Sequence, residues 1–576
     1  MKQFSHQSDI FELSKTRRRV VLAVVLILFS MLFLRALYLQ QVQQEFLQSK
    51  GDGFSVRKEV LYSYRGKIYD RNNKLLAVSS PTYDVGISIK ENPDLSKIKE
   101  IANLLDINQQ ELINKIKKKD KGFIYIKRSI SPEKAKKLTN LKLAGLDLEK
   151  KYRRFYPNRE SAAHIVGKTN IDGIGNEGLE KLWDKTLTGE IGHKKVLVDG
   201  GKRIIDDLQD FKLPINGSDI HTTIDSRLQH TTFETLKKYI ERYEAIAGSA
   251  ILMDAKSGEI IAMTNYPSYN PNSSITNMDA MRNRAVTDTF EPGSTLKPIS
   301  VAYAMERKKV KTNEIIHTNN GLLKVGRTFI RDDHPENELT IKDVIKTSSN
   351  VGASIIGTRL EPKELWGVYD KLGFGKKANI GLPGETSGRL SNFSLWRETD
   401  HSRMPYGYGV SVNLLQLTQA YSIFANEGLI VHPKIYMNQD AVIGEKVLSP
   451  SVSNEMKTYM RAVVEEDGGT GFKARIPGYT VAGKTGTARK VVNGEYSREY
   501  VASFIGMAPS TNPKFIMAVM IDNPKKDSYY GGTVAGPVFK EVMKEALKLY
   551  DVPYDKQLNE NLLDTKMDAT YEDSRL

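Results

Sequence analysis

Two short strings in this chain combine residue types that can make and break an acyl bond. In Glu291-Pro292-Gly293-Ser294-Thr295-Leu296-Lys297-Pro298 a serine hydroxyl and a lysine amine stand three residues apart. Proline is tolerated in a helix only in the first turn, so Pro298 sets a helix start near Ser294. Residues three apart share a helix face, which brings the Lys297 amine beside the Ser294 hydroxyl, and the helix N-terminus favours the alkoxide as it forms. Lysine accepts a proton only when neutral, so this reading requires Lys297 to be buried or to lie beside another cation. The second string, Lys484-Thr485-Gly486-Thr487, occurs once and follows the small residues Ala482 and Gly483. A glycine in a strand lets another backbone or a ligand come close. Here it would set the Thr487 amide against a substrate carbonyl, with Lys484 and the Thr485 and Thr487 hydroxyls available to a carboxylate.

Between them lies Ser348-Ser349-Asn350. In an extended or turn segment, alternate residues point Ser348 and Asn350 to the same side. Neither short pattern is distinctive alone. S-x-x-K recurs at Ser55 to Lys58 and Ser131 to Lys134, neither preceded by Pro-Gly, and S-x-N recurs at Ser411 to Asn413 and Ser510 to Asn512, where a cap or turn is the ordinary explanation.

The elements that must position these groups come next. Leu228, Phe233, Leu236, Ile240 and Tyr243 fall at helical spacing. Ala250 to Met253, the turn Lys256-Ser257-Gly258 and Glu259 to Met263 then read as a β-hairpin. Tyr500 to Met507 and Lys514 to Ile521 give two further adjacent strands across Ser510-Thr511-Asn512-Pro513. Helices therefore lie between two groups of strands, which predicts an α+β domain whose sheet is assembled from both ends of its own sequence. Residues 40–225 form a mosaic of short strands and helices with many charges and little sustained periodicity, the texture of an extended support.

Val20 to Leu34 is apolar except at Ser30, and after Arg35 the run continues through Leu39, giving about 20 residues, close to one bilayer span. Lys15, Arg17, Arg18 and Arg19 precede it and should stay in the cytoplasm, leaving the bulk of the chain on the far side. No small-x-small cleavage site follows, so an uncleaved single-pass anchor is expected, with Arg35 snorkelling at its outer end. The chain has 84 Lys and Arg against 69 Asp and Glu, a formal charge of +15. The lysines are spread along the chain, as on a solvated exterior, and no nucleic-acid module accompanies them. With no cysteine, disulfides, thiol nucleophiles and cysteine-type metal sites are excluded. The nine histidines form no H-E-x-x-H pattern, and neither a metal nor another cofactor is expected.

S-x-x-K, S-x-N and K-T-G in this order resemble the active-serine penicillin-binding proteins and serine β-lactamases. Arg65-Gly66-Lys67-Ile68-Tyr69-Asp70-Arg71-Asn72, Arg154-Phe155-Tyr156-Pro157, Gly178-Leu179-Glu180, Pro267-Ser268-Tyr269-Asn270-Pro271-Asn272 and Gly407-Tyr408-Gly409 are similar to landmarks of the class B branch. The Glu-Asp-x-x-Phe signature of class A members does not occur. Ser348-Ser349-Asn350-Val351-Gly352 and Tyr530-Gly531-Gly532 are more similar to division-specific members than to elongation ones. The resemblance implies helices around an antiparallel sheet, and a chain divided into a cytoplasmic tail (1–16), a transmembrane anchor (17–39), an elongated pedestal of the dimerisation type (40–225), a transpeptidase domain (226–550) and a polar tail (551–576).

It also implies a reaction: Ser294 is acylated by a peptidoglycan stem peptide ending in D-Ala-D-Ala, or by a β-lactam, with Lys297 as base, Ser348 as proton relay, Asn350 orienting the substrate amide, and Lys484, Thr485 and Thr487 on the terminal carboxylate. The Ser294 and Thr487 amides would form the oxyanion hole. Gly486 belongs to the same substrate-binding strand. The expected setting is the inner membrane of a bacterium with the catalytic domain outside the cytoplasm, and the expected partners are a polytopic glycan polymerase and other division proteins. An elongation-type enzyme, a D,D-carboxypeptidase or β-lactamase-type hydrolase, and a non-enzymatic sensor or scaffold are the alternatives.

Overall fold

The computed structural model describes residues 14–89, 95–118, 122–143, 145–200, 204–274, 276–492 and 495–557. Most of the expected cytoplasmic segment and of the polar tail lies outside these. The chain forms two compact units, residues 1–63 with 190–215 and residues 64–189 with 216–576.

The first unit opens with helix α1, Lys15–Gln41. At about 1.5 Å per residue its 27 residues extend about 40 Å, against a hydrocarbon core of about 30 Å. Among the described residues it is the one helix long and apolar enough to cross a membrane, and none of it is buried. A second helix, Gln44–Ser55, follows, and then an antiparallel three-stranded sheet in which Gly192–Val198 lies between Val56–Leu61 and Ile204–Lys212.

In the second unit, α2 (Ser226–Arg242) starts where the Asp225 carboxylate accepts from the Arg227 amide, and buries Leu228, Phe233, Leu236 and Ile240. The hairpin β1 (Ala247–Asp254) and β2 (Ile260–Tyr266) follows where the sequence predicts it. Helices α3 (Lys297–Glu306) and α4 (Asn350–Gly357) come between the two groups of strands. Strands β3 (Ala482–Val492), β4 (Glu495–Ala508) and β5 (Phe515–Asp522) then return, and α5 (Gly536–Leu549) packs against α2. The five strands form one antiparallel sheet in the order β2-β1-β5-β4-β3, so β5 from the end of the domain pairs with β1 from its beginning. Every residue of β1 is buried, as in a strand covered on both faces. The K-T-G string lies on β3, at the edge of the sheet.

Residues 64–189 are braced by buried polar contacts, first among themselves and then to this body. The Glu180 side chain is wholly buried and takes Arg65 Nε at 2.5 Å and Arg154 Nε at 2.6 Å. Asp70, also buried, accepts from the amides of Asn72 and Lys74 and from the Ser226 amide and hydroxyl at the start of α2. Asn272 brackets Tyr156, accepting from its amide at 2.9 Å and donating to its carbonyl at 2.8 Å. Charges removed from water are tolerated where partners take up their hydrogen bonds.

Candidate active site

Ser294 is half-buried in a 3₁₀ turn, Gly293–Leu296, that runs directly into α3 with Pro298 in its first turn. The turn is held by one hydrogen bond of its own and by two from other segments. Gly293 N donates to Gly407 O at 3.1 Å, Thr295 Oγ1 to Pro292 O at 2.7 Å, and the hydroxyl of the fully buried Tyr421 to Thr295 O at 2.6 Å. Gly407 has φ +89, and a Cβ there would fall 2.1 Å from Gly293 O. Only glycine permits so close an approach behind the serine turn.

Lys297 is wholly buried. Its Nζ donates to Ser348 O, to Ser348 Oγ at 3.1 Å and to Asn350 Oδ1 at 2.8 Å. Burial pushes its pKa down to about 7, against the opposing pull of the Asp332 and Asp333 charges. Ser348 and Asn350 do meet on one group, through a turn and not an extended segment. Ser348 is left-handed with φ +66, and Asn350 is the first residue of α4. Ser349 caps that helix, accepting from Gly352 N at 2.8 Å.

Asp332 completes the arrangement. It accepts from Ser349 Oγ at 2.6 Å through Oδ2, and from the amides of Asn350 and, at 2.9 Å, Val351 through Oδ1. Asn350 Nδ2 donates to the adjoining Arg331 O at 2.9 Å. Sequence reasoning missed Asp332, since nothing in Arg331-Asp332-Asp333-His334 separates it from other loop acids.

The β3 strand lies against the serine turn. A Cβ on Gly486 would come 2.8 Å from Thr295 Cγ2 and 3.1 Å from Pro292 O, and one on Gly293 would come 3.2 Å from Ala488 Cβ. Lys484 is wholly buried, with Nζ 3.3 Å from both the carbonyl and hydroxyl oxygens of Thr485. Burial first, and then the charge of Lys297, hold its pKa well below the ordinary lysine value. Thr485 Oγ1 and Thr470 Oγ1 are 2.8 Å apart, and Thr487 Oγ1 accepts from Gly531 N at 3.1 Å. The structure thus gathers all eight residues singled out from the sequence around one turn.

The recurrences of the short patterns have local explanations. Ser131 Oγ accepts from Lys134 N at 3.3 Å and caps the helix Pro132–Asn140, while Ser55 ends the exposed helix Gln44–Ser55. Asn413 caps Leu414–Ala420, and Ser510 Oγ donates to Thr480 Oγ1 at 2.7 Å. A serine with a buried, partly neutral lysine one turn away suits acyl transfer through a covalent ester.

Comparison with known proteins agrees with this chemistry. The penicillin binding protein transpeptidase domain matches residues 248–544, and the penicillin-binding protein dimerisation domain matches residues 60–222. The chain is 39% identical over 552 residues to a probable peptidoglycan D,D-transpeptidase, PenA, of Neisseria gonorrhoeae, covering 95% of this chain and 94% of the relative. It is 37% identical over 540 residues to peptidoglycan D,D-transpeptidase FtsI of Escherichia coli, covering 92% and 91%. A peptidoglycan synthetase structure from Bifidobacterium adolescentis superposes with a TM-score of 0.69 at 25% identity, covering 88% of this chain and 98% of that one. The transpeptidase domain of Burkholderia pseudomallei penicillin-binding protein 3 does so at 0.54 and 37%, covering 58% and 98%. With a catalytic and a dimerisation domain both matched, and relatives aligned along nearly its whole length, the chain belongs to the class B penicillin-binding proteins, a family of peptidoglycan D,D-transpeptidases.

Proposed function

We propose that this protein crosslinks peptidoglycan stem peptides during septal wall synthesis, through an ester on Ser294. The observation that carries the reading is the buried Lys297 amine, hydrogen-bonded to Ser348 and Asn350 one helical turn from Ser294. With its pKa pushed down to about 7 by burial, such an amine is available unprotonated near neutral pH, as a base acting on a serine hydroxyl requires. Ser294 Oγ attacks the carbonyl of the penultimate D-Ala as its proton passes to Lys297 Nζ. The amides of Ser294 and Thr487 hold the oxyanion, where one donor is typically worth about 3 kcal/mol. The C–N bond then breaks, Ser348 relays a proton to the departing nitrogen, and D-Ala leaves. The amine of a second stem attacks the ester, Ser294 recovers its proton, and the new amide is the crosslink. Asn350 orients the stem amide, while Lys484, Thr485 and Thr487 hold the terminal carboxylate across Gly486. A β-lactam follows the same acylation, but its ring nitrogen stays tethered and no acceptor replaces it.

The name FtsI borne by relatives over most of this chain supports the septal assignment. We place α1 across the inner membrane with Lys15 and Arg17 to Arg19 in the cytoplasm and the catalytic domain outside, following the bias of cationic flanks. In this reading 1–16 is the cytoplasmic tail, 17–39 the anchor, 40–225 the pedestal, 226–550 the catalytic domain and 551–576 a polar tail. The anchor and pedestal are where a polytopic glycan polymerase and other division proteins would dock. Labelling with fluorescent penicillin tests the chemistry: wild type takes up label and releases it slowly, whereas Ser294→Ala takes up none. Label persisting on Ser294→Ala would place the ester elsewhere, and rapid turnover with free acid appearing would make the protein a hydrolase.

A further inference from the structure

The Ser348 to Asn350 segment is held by a carboxylate that no sequence motif marks. Asp332 lies just beyond the strand Thr328–Arg331, and it receives the Ser349 hydroxyl and the first two amides of α4. The adjoining carbonyl, Arg331 O, receives the Asn350 side-chain amide. An asparagine amide is fixed by its hydrogen bonds. With Nδ2 engaged by Arg331 O, Oδ1 must face Lys297 Nζ, and one N–H remains for a substrate. Ser348, immediately before, carries a left-handed backbone that a non-glycine residue adopts only when its surroundings impose it. The two residues after it are pinned to Asp332, and its own carbonyl is pinned to Lys297.

We propose that Asp332 is a positioning residue for acylation: by clamping Ser349, Asn350 and Val351, it holds Ser348 Oγ and Asn350 Oδ1 on the Lys297 amine. The inference rests on the Ser294 acyl-enzyme reading and adds to it the group that sets the second motif in place.

Asp332 carries a second, electrostatic consequence. The charged groups acting on Lys297 are Asp332 and Asp333 from this loop, while Lys297 itself acts on the buried Lys484 of β3. Asp332 and Asp333 draw the Lys297 pKa upward, so removing the Asp332 charge lowers it further. Two substitutions therefore separate geometry from charge. Asp332→Asn removes the charge and leaves a single acceptor oxygen for three donors. Asp332→Glu keeps the charge but displaces the carboxylate by one methylene.

The experiment is the second-order rate of penicillin acylation from pH 5 to 9 on the full chain, with thermal melting measured alongside. In Asp332→Asn the plateau rate is expected to fall ten- to a hundredfold, with the acid limb moved to lower pH. In Asp332→Glu the plateau falls while the limb stays at the wild-type position. A loss of stability alone would lower the fraction of reactive protein without moving the limb. Wild-type rates in the Glu variant overturn the proposal whether or not the Asn variant folds, and so does an Asn variant with an unaltered rate and limb. If wild type itself takes up no penicillin, the acyl-enzyme reading fails instead.

Discussion

Lys297 carries its Nζ on three oxygens while wholly excluded from water, and its pKa of about 7 is the residue-scale fact on which the chemistry turns. The sign follows directly. Below that pKa the ammonium cannot accept the Ser294 proton, so acylation should fall tenfold per pH unit under about 7 and level off above it. Stopped-flow acylation across this range checks it. Lys297→Arg, whose guanidinium stays protonated, should acylate about a hundred- to ten-thousandfold more slowly at every accessible pH. Ser294, Lys297 and Lys484 were legible because their chemistry is written in short strings, one set on a helix start and one on a strand. Asp332 was not, because its partners lie 17 to 19 residues away in sequence. The left-handed Ser348 was not either, since serine gives no signal for that backbone.

At the scale of elements, the serine turn is as good as the packing behind it. Gly407 presses on Gly293 with a backbone conformation that excludes side chains. Gly407→Ala incurs about 1–2 kcal/mol for the left-handed backbone alone, and the contact with Gly293 O forces the turn to move as well. Calorimetry should show a lowered melting temperature, and acylation by penicillin should slow even in the folded fraction. The hairpin β1–β2 and the strands β4 and β5 could be read from apolar runs and turn residues, and Pro298 marked the start of α3. The pairing of β5 with β1 follows less directly, because hydrophobic pattern reports that a strand is buried and not which strand it joins.

At the scale of the molecule, the sequence landmarks of residues 64–189 converge on Glu180 and Asp70. Glu180→Ala leaves Arg65 and Arg154 without their shared carboxylate and should destabilise the second unit by roughly 3–5 kcal/mol, measurable by urea denaturation. Charge reversal at an exposed ion pair such as Lys238 and Glu541 should change stability by less than about 1 kcal/mol in the same assay. Removing residues 1–42 should yield a protein that no longer needs detergent yet acylates at the wild-type rate, because no residue of the proposed acyl-transfer machinery lies within them. The sheet has one further consequence, for timing. Ala247 pairs with Asp522, so the ribosome must translate 275 more codons after Ala247 before that partner exists, roughly 14–55 s at 5–20 residues per second. Until then Ser294 and, by the end of the interval, Thr487 have been made, but the sheet that carries β3 is incomplete. A nascent chain should therefore be blind to penicillin, and sensitivity should appear only after the last strand has been made and delivered to the far side of the membrane.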